Sequence, residues 1–184
     1  MKIQTYDIDG PKLFFPKIHR DNRGFFVETH NHAVFCEALG EEVFFVQDNH
    51  SLSIKANTLR GLHYQSAPHV QGKLVRCSQG SILDVAVDAR SNSSTYGQHL
   101  KTILSSENGG QLWVPPGFLH GFLTLKPNTE VFYKTTDYYS AECDGNVLWN
   151  DPDLNIDWGV SPKDVFLSEK DKSASPFSQF IPTM

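Results

Sequence analysis

Arg60-Gly61-Leu62-His63-Tyr64-Gln65 and, after seven intervening residues, Lys73-Leu74-Val75-Arg76 alternate side-chain types as two short strands do. Successive strand residues point to opposite faces, so Arg60, Leu62 and Tyr64 are expected on one face. Gly61, His63 and Gln65 then share the other. A face that carries a titratable ring and an amide is either a solvent face or the wall of a wet pocket. A single strand histidine is more often a surface or hydrogen-bonded core residue. The rest of the chain shifts that balance.

Strand signals extend in both directions from this stretch. Residues 43–53, 58–65, 73–78, 81–88, 98–104, 111–114, 120–125 and 129–136 read as strands joined by short turns. The turns are Gln79-Gly80, Glu107-Asn108-Gly109-Gly110 and Pro115-Pro116-Gly117. Upstream, Leu13-Phe14-Phe15 before Pro16 is a short strand near an edge. Asp21-Asn22-Arg23-Gly24 is a turn and residues 25–29 a strand. Asn31 caps a helix over residues 33–39 that Gly40 ends. Many short, evenly spaced strands predict an all-β sandwich or barrel, for which the jelly roll is one solution, with a few short peripheral helices. Neither repeat nor linker interrupts it, so residues 1–184 are expected to form one domain. The last third is richer in aromatics and turns. There, Ser168 is placed to cap a helical turn with Asp171 at the acid position of a capping box.

Composition bounds the function. Hydrophobic residues make up 39% of the chain, enough for a core, and the net charge of −5 argues against a nucleic-acid partner. Cys36, Cys77 and Cys143 are widely spaced and without a C-x-x-C pair, which predicts free thiols in a reducing compartment. The N-terminus has no apolar signal core, and no apolar run approaches the roughly 20 residues of a membrane span. A cytoplasmic protein without a membrane partner is expected.

The spacing Gly109-x5-Pro115-x-Gly117-x-x-His120 resembles the second motif of the cupin barrels. Metal-binding cupins supply H-x-H and a glutamate from their first motif. Here that place reads His63-Tyr64-Gln65, with Lys73 seven residues before Gly80. The second histidine is missing and a protonated lysine is a poor ligand, so no metal site is expected there.

Longer blocks narrow the resemblance. Asp21-Asn22-Arg23-Gly24-Phe25-Phe26, Phe45-Val46-Gln47-Asp48-Asn49-His50-Ser51, Leu59-Arg60-Gly61-Leu62-His63-Tyr64-Gln65 and Gln71-Gly72-Lys73-Leu74-Val75-Arg76 are similar to the dTDP-4-dehydrorhamnose 3,5-epimerases. So are Pro116-Gly117-Phe118-Leu119-His120-Gly121-Phe122, Tyr133-Lys134 and Trp149-Asn150-Asp151-Pro152. The blocks run in register from about residue 14 to 171.

This resemblance implies a cupin-like jelly roll that inverts C3 and C5 of dTDP-4-keto-6-deoxyglucose to give dTDP-4-keto-rhamnose, with no cofactor. Both carbons flank a ketone, so each proton leaves through an enolate. That chemistry needs a base, an acid on the other face and a cation at the oxygen. The resemblance makes His63 the base, Asp171 its orienting partner, Lys73 the enolate stabiliser and Tyr133 the acid. Arg60 and Lys170 are implied for the pyrophosphate, and His120 for a substrate contact; Asp84, a carboxylate in the middle of an apolar strand, is expected to face the same cavity and keep Lys73 or His120 charged or oriented. Arg23, Glu28, Gln47 and Asn49 are implied for the nucleotide, Tyr138 or Tyr139 for stacking on the base, and Asp144 for a further contact. A homodimer with exchanged N-terminal strands is implied. Two alternatives stay open: an epimerase of one centre acting on a dTDP- or CDP-linked 4-keto sugar, and a non-catalytic sugar-nucleotide-binding cupin.

Overall fold

The computed structural model describes residues 1–181. Its strands are β1 (Lys2–Thr5), β2 (Lys12–Phe15), β3 (Ile18–Asp21), β4 (Gly24–Val27), β5 (Gln47–Ser53), β6 (Leu59–Gln65) and β7 (Lys73–Gln79). They continue with β8 (Ser81–Asp88), β9 (His99–Ser105), β10 (Gln111–Val114), β11 (Phe118–Thr124), β12 (Thr129–Thr135) and β13 (Asp144–Asn146). One sheet runs β1-β2-β10-β7-β12-β5 and the other β13-β6-β11-β8-β9, while β3 and β4 form a separate hairpin. Ladder pairs throughout are antiparallel, so short turns suffice to connect many of them. The arrangement is the expected jelly roll.

Three apolar clusters account for the layering. Between the sheets, Leu13, Val75, Leu112 and Val131 of the six-stranded sheet meet Ile82, Ala86, Leu104, Phe118 and Phe122 of the five-stranded one. Helix α1 (His32–Leu39) covers the outer face of the six-stranded sheet. It sets Phe35, Cys36 and Leu39 against Phe14, Leu74 and Trp113. Burial of a side chain such as Phe35 or Leu39 contributes roughly 2 kcal/mol. The aromatic C-terminal third covers the other outer face, where Trp149, Leu154, Ile156 and Trp158 pack on Leu62, Val85 and Val87.

The helix begins and ends where its caps require. Asn31 Oδ1 accepts the Val34 amide at 3.3 Å, and Gly40 adopts φ +89° while its amide reaches Cys36 O. The expected strand over residues 43–53 starts only at Gln47. Val43 and Phe45 are drawn into the apolar cluster under α1 instead. Three strands were not anticipated. β1 is exposed along its length, β3 is mostly polar, and β13 reads Asp-Gly-Asn, so none carries a local strand signal. Pairing to a neighbour makes each of them.

One irregularity positions the site. His63 pairs with His120, but Arg60 pairs with Phe122, so β6 carries one extra residue there. The extra residue is Gly61, at φ +127°. A Cβ at Gly61 would lie 2.6 Å from Gly121 Cα and 2.8 Å from His120 O, so both conformation and space demand glycine. The bulge overturns strict alternation. Leu62 and Tyr64 pack outward as expected, but Arg60 joins His63 on the cavity wall.

Candidate active site

A cavity of about 420 Å³ opens between the two sheets. The five-stranded sheet contributes Arg60, His63 and His120, and the six-stranded sheet contributes Ser51, Lys73 and Tyr133. The short helix α2 (Glu169–Lys172) and its cap add Ser168, Lys170 and Asp171. Positive side chains thus gather in one cleft of a net acidic chain, as an anionic ligand requires.

His63 Nε2 lies 2.6 Å from Asp171 Oδ1. Asp171 is 3% exposed, and its other oxygen accepts the Ser168 hydroxyl at 2.7 Å. Burial pushes the Asp171 carboxyl up, but hydrogen bonds from His63 and Ser168, with the Gly61 backbone, hold it below its ordinary range. An ionised Asp171 accepts from Nε2–H, which leaves Nδ1 as the basic nitrogen of the neutral ring. The two readings of Asp171 turn out to be one. Its amide donates to Ser168 Oγ at 3.1 Å, so the capping turn is the device that aims the carboxylate.

The Lys73 ammonium has no hydrogen bond or ion pair to another described residue, although its backbone pairs with β10 and β12. Desolvation brings its ammonium down to about 8, with Asp144 and Asp84 opposing that shift. The partner-free cation lines the cavity. Asp84, wholly buried, meets His120 Nε2 at 2.9 Å through Oδ1, while its Oδ2 has no partner among the described residues. Tyr133 is raised above the ordinary phenol value by burial, with Arg60 opposing, so it stays protonated at neutral pH.

At the mouth, Lys170 pairs with Asp144, and the Tyr139 hydroxyl donates to the same carboxylate at 3.1 Å. Tyr138 and Tyr139 are both exposed. Gln47 Nε2 donates to Asn49 Oδ1 at 2.9 Å, and Gln47 Oε1 accepts the Tyr139 amide at 3.0 Å. Arg23 and Glu28 are not brought to this cavity. Arg23 sits at the exposed tip of the β3–β4 hairpin on Asp21, and Glu28 lines a second groove with Phe14, Phe26 and Gln111.

Two residues escaped the sequence reading. Ser51 follows Gln47 and Asn49 in the period-two pattern of β5, and its Oγ is buried with no partner among the described residues. That alternation was the available signal. Gln65, noted only as a missing metal ligand, holds the mouth loop. It donates to His69 O and Tyr138 O and accepts the Ser140 amide at 2.8 Å. Among the described residues, the one cluster with the donor types and spacing of a metal site is His32, Cys36 and Glu42, on α1 and the loop after it.

The model of the dTDP-4-dehydrorhamnose 3,5-epimerase family matches residues 5–179. The chain belongs to this family. A dTDP-4-dehydrorhamnose 3,5-epimerase from Shigella flexneri is 48% identical over 177 residues, 96% of either chain. Among solved structures, the dTDP-6-deoxy-D-glucose-3,5-epimerase of Legionella pneumophila in complex with dTDP-4-keto-L-rhamnose superposes with a TM-score of 0.93. It is 44% identical and covers 98% of this chain and 94% of its own. The epimerase fold also extends to a 3'-monoepimerase of Streptomyces bikiniensis bound to dTDP-quinovose. That protein shows a TM-score of 0.86, 31% identity and coverage of 94% and 86%.

Proposed function

We propose that this chain inverts C3 and C5 of dTDP-4-keto-6-deoxy-D-glucose, giving dTDP-4-keto-L-rhamnose. One observation carries the assignment of roles. His63 stands on the five-stranded sheet with Asp171 of α2 bonded to it, while Lys73 and Tyr133 stand on the six-stranded sheet across the same cavity. Inversion needs a base and an acid on opposite faces of the sugar ring, and the two walls supply one each.

His63 Nδ1 takes the proton beside the C4 ketone, and the C–H electron pair moves into the enolate. Asp171 stabilises the imidazolium and holds its tautomer. The Lys73 ammonium sits at the enolate oxygen, where charge develops. Tyr133 gives its phenolic proton to the opposite face of the same carbon. Solvent then reprotonates the phenolate and takes the proton from His63. His120, oriented by Asp84, contacts the sugar. Arg60 and Lys170 hold the pyrophosphate, by a forked and a point-charge contact respectively. Gln47 and Asn49 bind the nucleotide, Asp144 makes a further substrate contact, and Tyr138 or Tyr139 stacks on the base. No metal or cofactor enters these steps.

Arg23 and Glu28 act in a homodimer whose N-terminal strands are exchanged. Their place supports this, because the β3–β4 hairpin stands apart from both sheets and exposes Phe25 and Phe26. Deleting the residues before Phe25 is then expected to damage both assembly and dTDP affinity, read by light scattering and calorimetry. We read residues 1–184 as one domain in the cytoplasm. Three free cysteines support a reducing compartment, and no helix among the described residues is long and apolar enough to cross a membrane. The test of function is NMR of the keto sugar with the protein in D2O. Exchange and inversion at both carbons are expected. Inversion at one carbon alone would make it a single-centre epimerase, and no exchange at all a binding protein.

A further inference from the structure

Helix α1 carries His32 and Cys36 at i and i+4, on one face, and the loop after Gly40 returns Glu42 to them. His32 Nδ1 and Cys36 Sγ are 3.7 Å apart. A tetrahedral ion with bonds of about 2.1 Å to nitrogen and about 2.3 Å to sulfur would set them about 3.6 Å apart. Glu42 Oε1 is 2.8 Å from His32 Nε2. The carboxylate leaves Nε2 to reach an ion held at Nδ1, the nitrogen nearest the sulfur. The ring is also stacked on Phe44, at 4.8 Å between centroids. The Val43 amide donates to Cys36 Sγ at 3.4 Å, and the thiol donates to Val43 O at 3.7 Å. One ligand atom from each of the three residues lies within 4.8 Å of the others, and Glu37 and Glu41 line the same open depression.

We propose that His32 Nδ1, Cys36 Sγ and the Glu42 carboxylate form a binding site for a borderline divalent cation of the zinc type. The donor set, one imidazole, one thiolate and one carboxylate, is the mixture that such an ion takes, and a hard ion such as magnesium does not select it. Binding releases the Cys36 proton, turns the Glu42 carboxylate onto the ion and leaves the remaining position to water. The ion ties α1 to the loop that follows it. Because α1 lies on the outer face of the six-stranded sheet, the cation stabilises the fold without entering the cavity chemistry.

The test is titration of the full chain, stripped of metal, with Co2+ followed by absorbance, and with Zn2+ followed by thermal melting. The expected result is one equivalent of Co2+ giving a thiolate-to-cobalt charge-transfer band with tetrahedral ligand-field bands, displaced by Zn2+. The melting temperature should rise with Zn2+. Cys36→Ser should abolish the charge-transfer band. His32→Gln and Glu42→Gln, on partly exposed side chains, should fold normally and weaken binding by roughly tenfold or more. Cys143→Ser should change nothing. Absence of the band, or a band that survives Cys36→Ser or vanishes in Cys143→Ser, would overturn the proposal. So would a Zn2+-dependent melting shift that His32→Gln leaves intact.

Discussion

Asp84 and Asp88 lie four residues apart on the same face of β8, both wholly buried, and their surroundings are opposite. Asp88 is saturated. Arg90 grips it with two nitrogens at 2.9 and 2.7 Å, and Ser93 and Thr95 donate hydroxyls at 2.6 Å each. Burial pushes the Asp88 carboxyl up, but these donors outweigh it and hold the group at about 2. Asp84 has one bond, to His120, and a bare second oxygen. Around it the pattern repeats, for the Lys73 ammonium has no partner and Ser51 Oγ has none. A buried polar group without a partner costs stability. Where such groups converge on one cavity, they are held ready for a ligand. Where they are saturated, as around Asp88, they hold a turn. The same residue type on one strand therefore does two jobs, and the state of its partners tells them apart.

The largest expected effect is on the base. His63→Ala should lower kcat by roughly 10³-fold, near the middle of the range for general-base loss, with the fold intact by circular dichroism. A loss below about tenfold would place the base elsewhere. Next is the free cation. Lys73→Met should reduce kcat by about 10²-fold with a smaller rise in KM, because the contact strengthens in the transition state. An effect confined to KM would make Lys73 a binding residue. Its pH dependence has a definite sign. The cation is present below about 8 and lost above it, so kcat/KM should fall as pH rises through about 8. Lys73→Arg should move that alkaline limb upward.

The two aspartates then test the contrast itself. Asp88→Asn breaks a buried charged network and should cost about 3 kcal/mol in urea unfolding, with turnover per folded molecule unchanged. Asp84→Asn should leave stability within about 1 kcal/mol and lower kcat by about tenfold through His120. Reversed outcomes would break the comparison. The native Asp88 pKa lies below the unfolded value, so its contribution is present above about pH 4 and is lost as pH falls towards about 2. Asp88→Asn should remove that acid limb of the stability curve. The smallest effect is that of a chelator. Dialysis against one should leave turnover unchanged, because the proposed cavity chemistry uses no metal; a loss restored by zinc would contradict this.

Much of the fold was legible because local signals and tertiary needs agree. The pattern of residues 81–88 and 111–114 gave β8 and β10 to the residue. β13 was invisible because Asp-Gly-Asn has no propensity of its own and is strand only through β6. That His63, Lys73, Tyr133 and Asp171 line one cavity was legible through motifs. The placement of Arg60 was not, since alternation assigned it to the wrong face. Only the bulge at Gly61, set by close approach to Gly121, turns it inward. The double duty of Asp171 was hidden for a similar reason, as sequence spacing shows the cap and not the ring it faces across 108 residues.

The central claim is that base and acid stand on opposite walls. Deuterium exchange with Tyr133→Phe tests it most directly. That variant keeps His63, Asp171 and Lys73, so the enolate forms but lacks its donor on the far face. His63 returns a deuteron to the face it took the proton from. NMR of substrate recovered from D2O should show deuterium beside the ketone with retained configuration and little product, while His63→Ala shows neither exchange nor inversion. Inversion by Tyr133→Phe at the wild-type rate, or continued exchange in His63→Ala, would contradict the two-wall assignment.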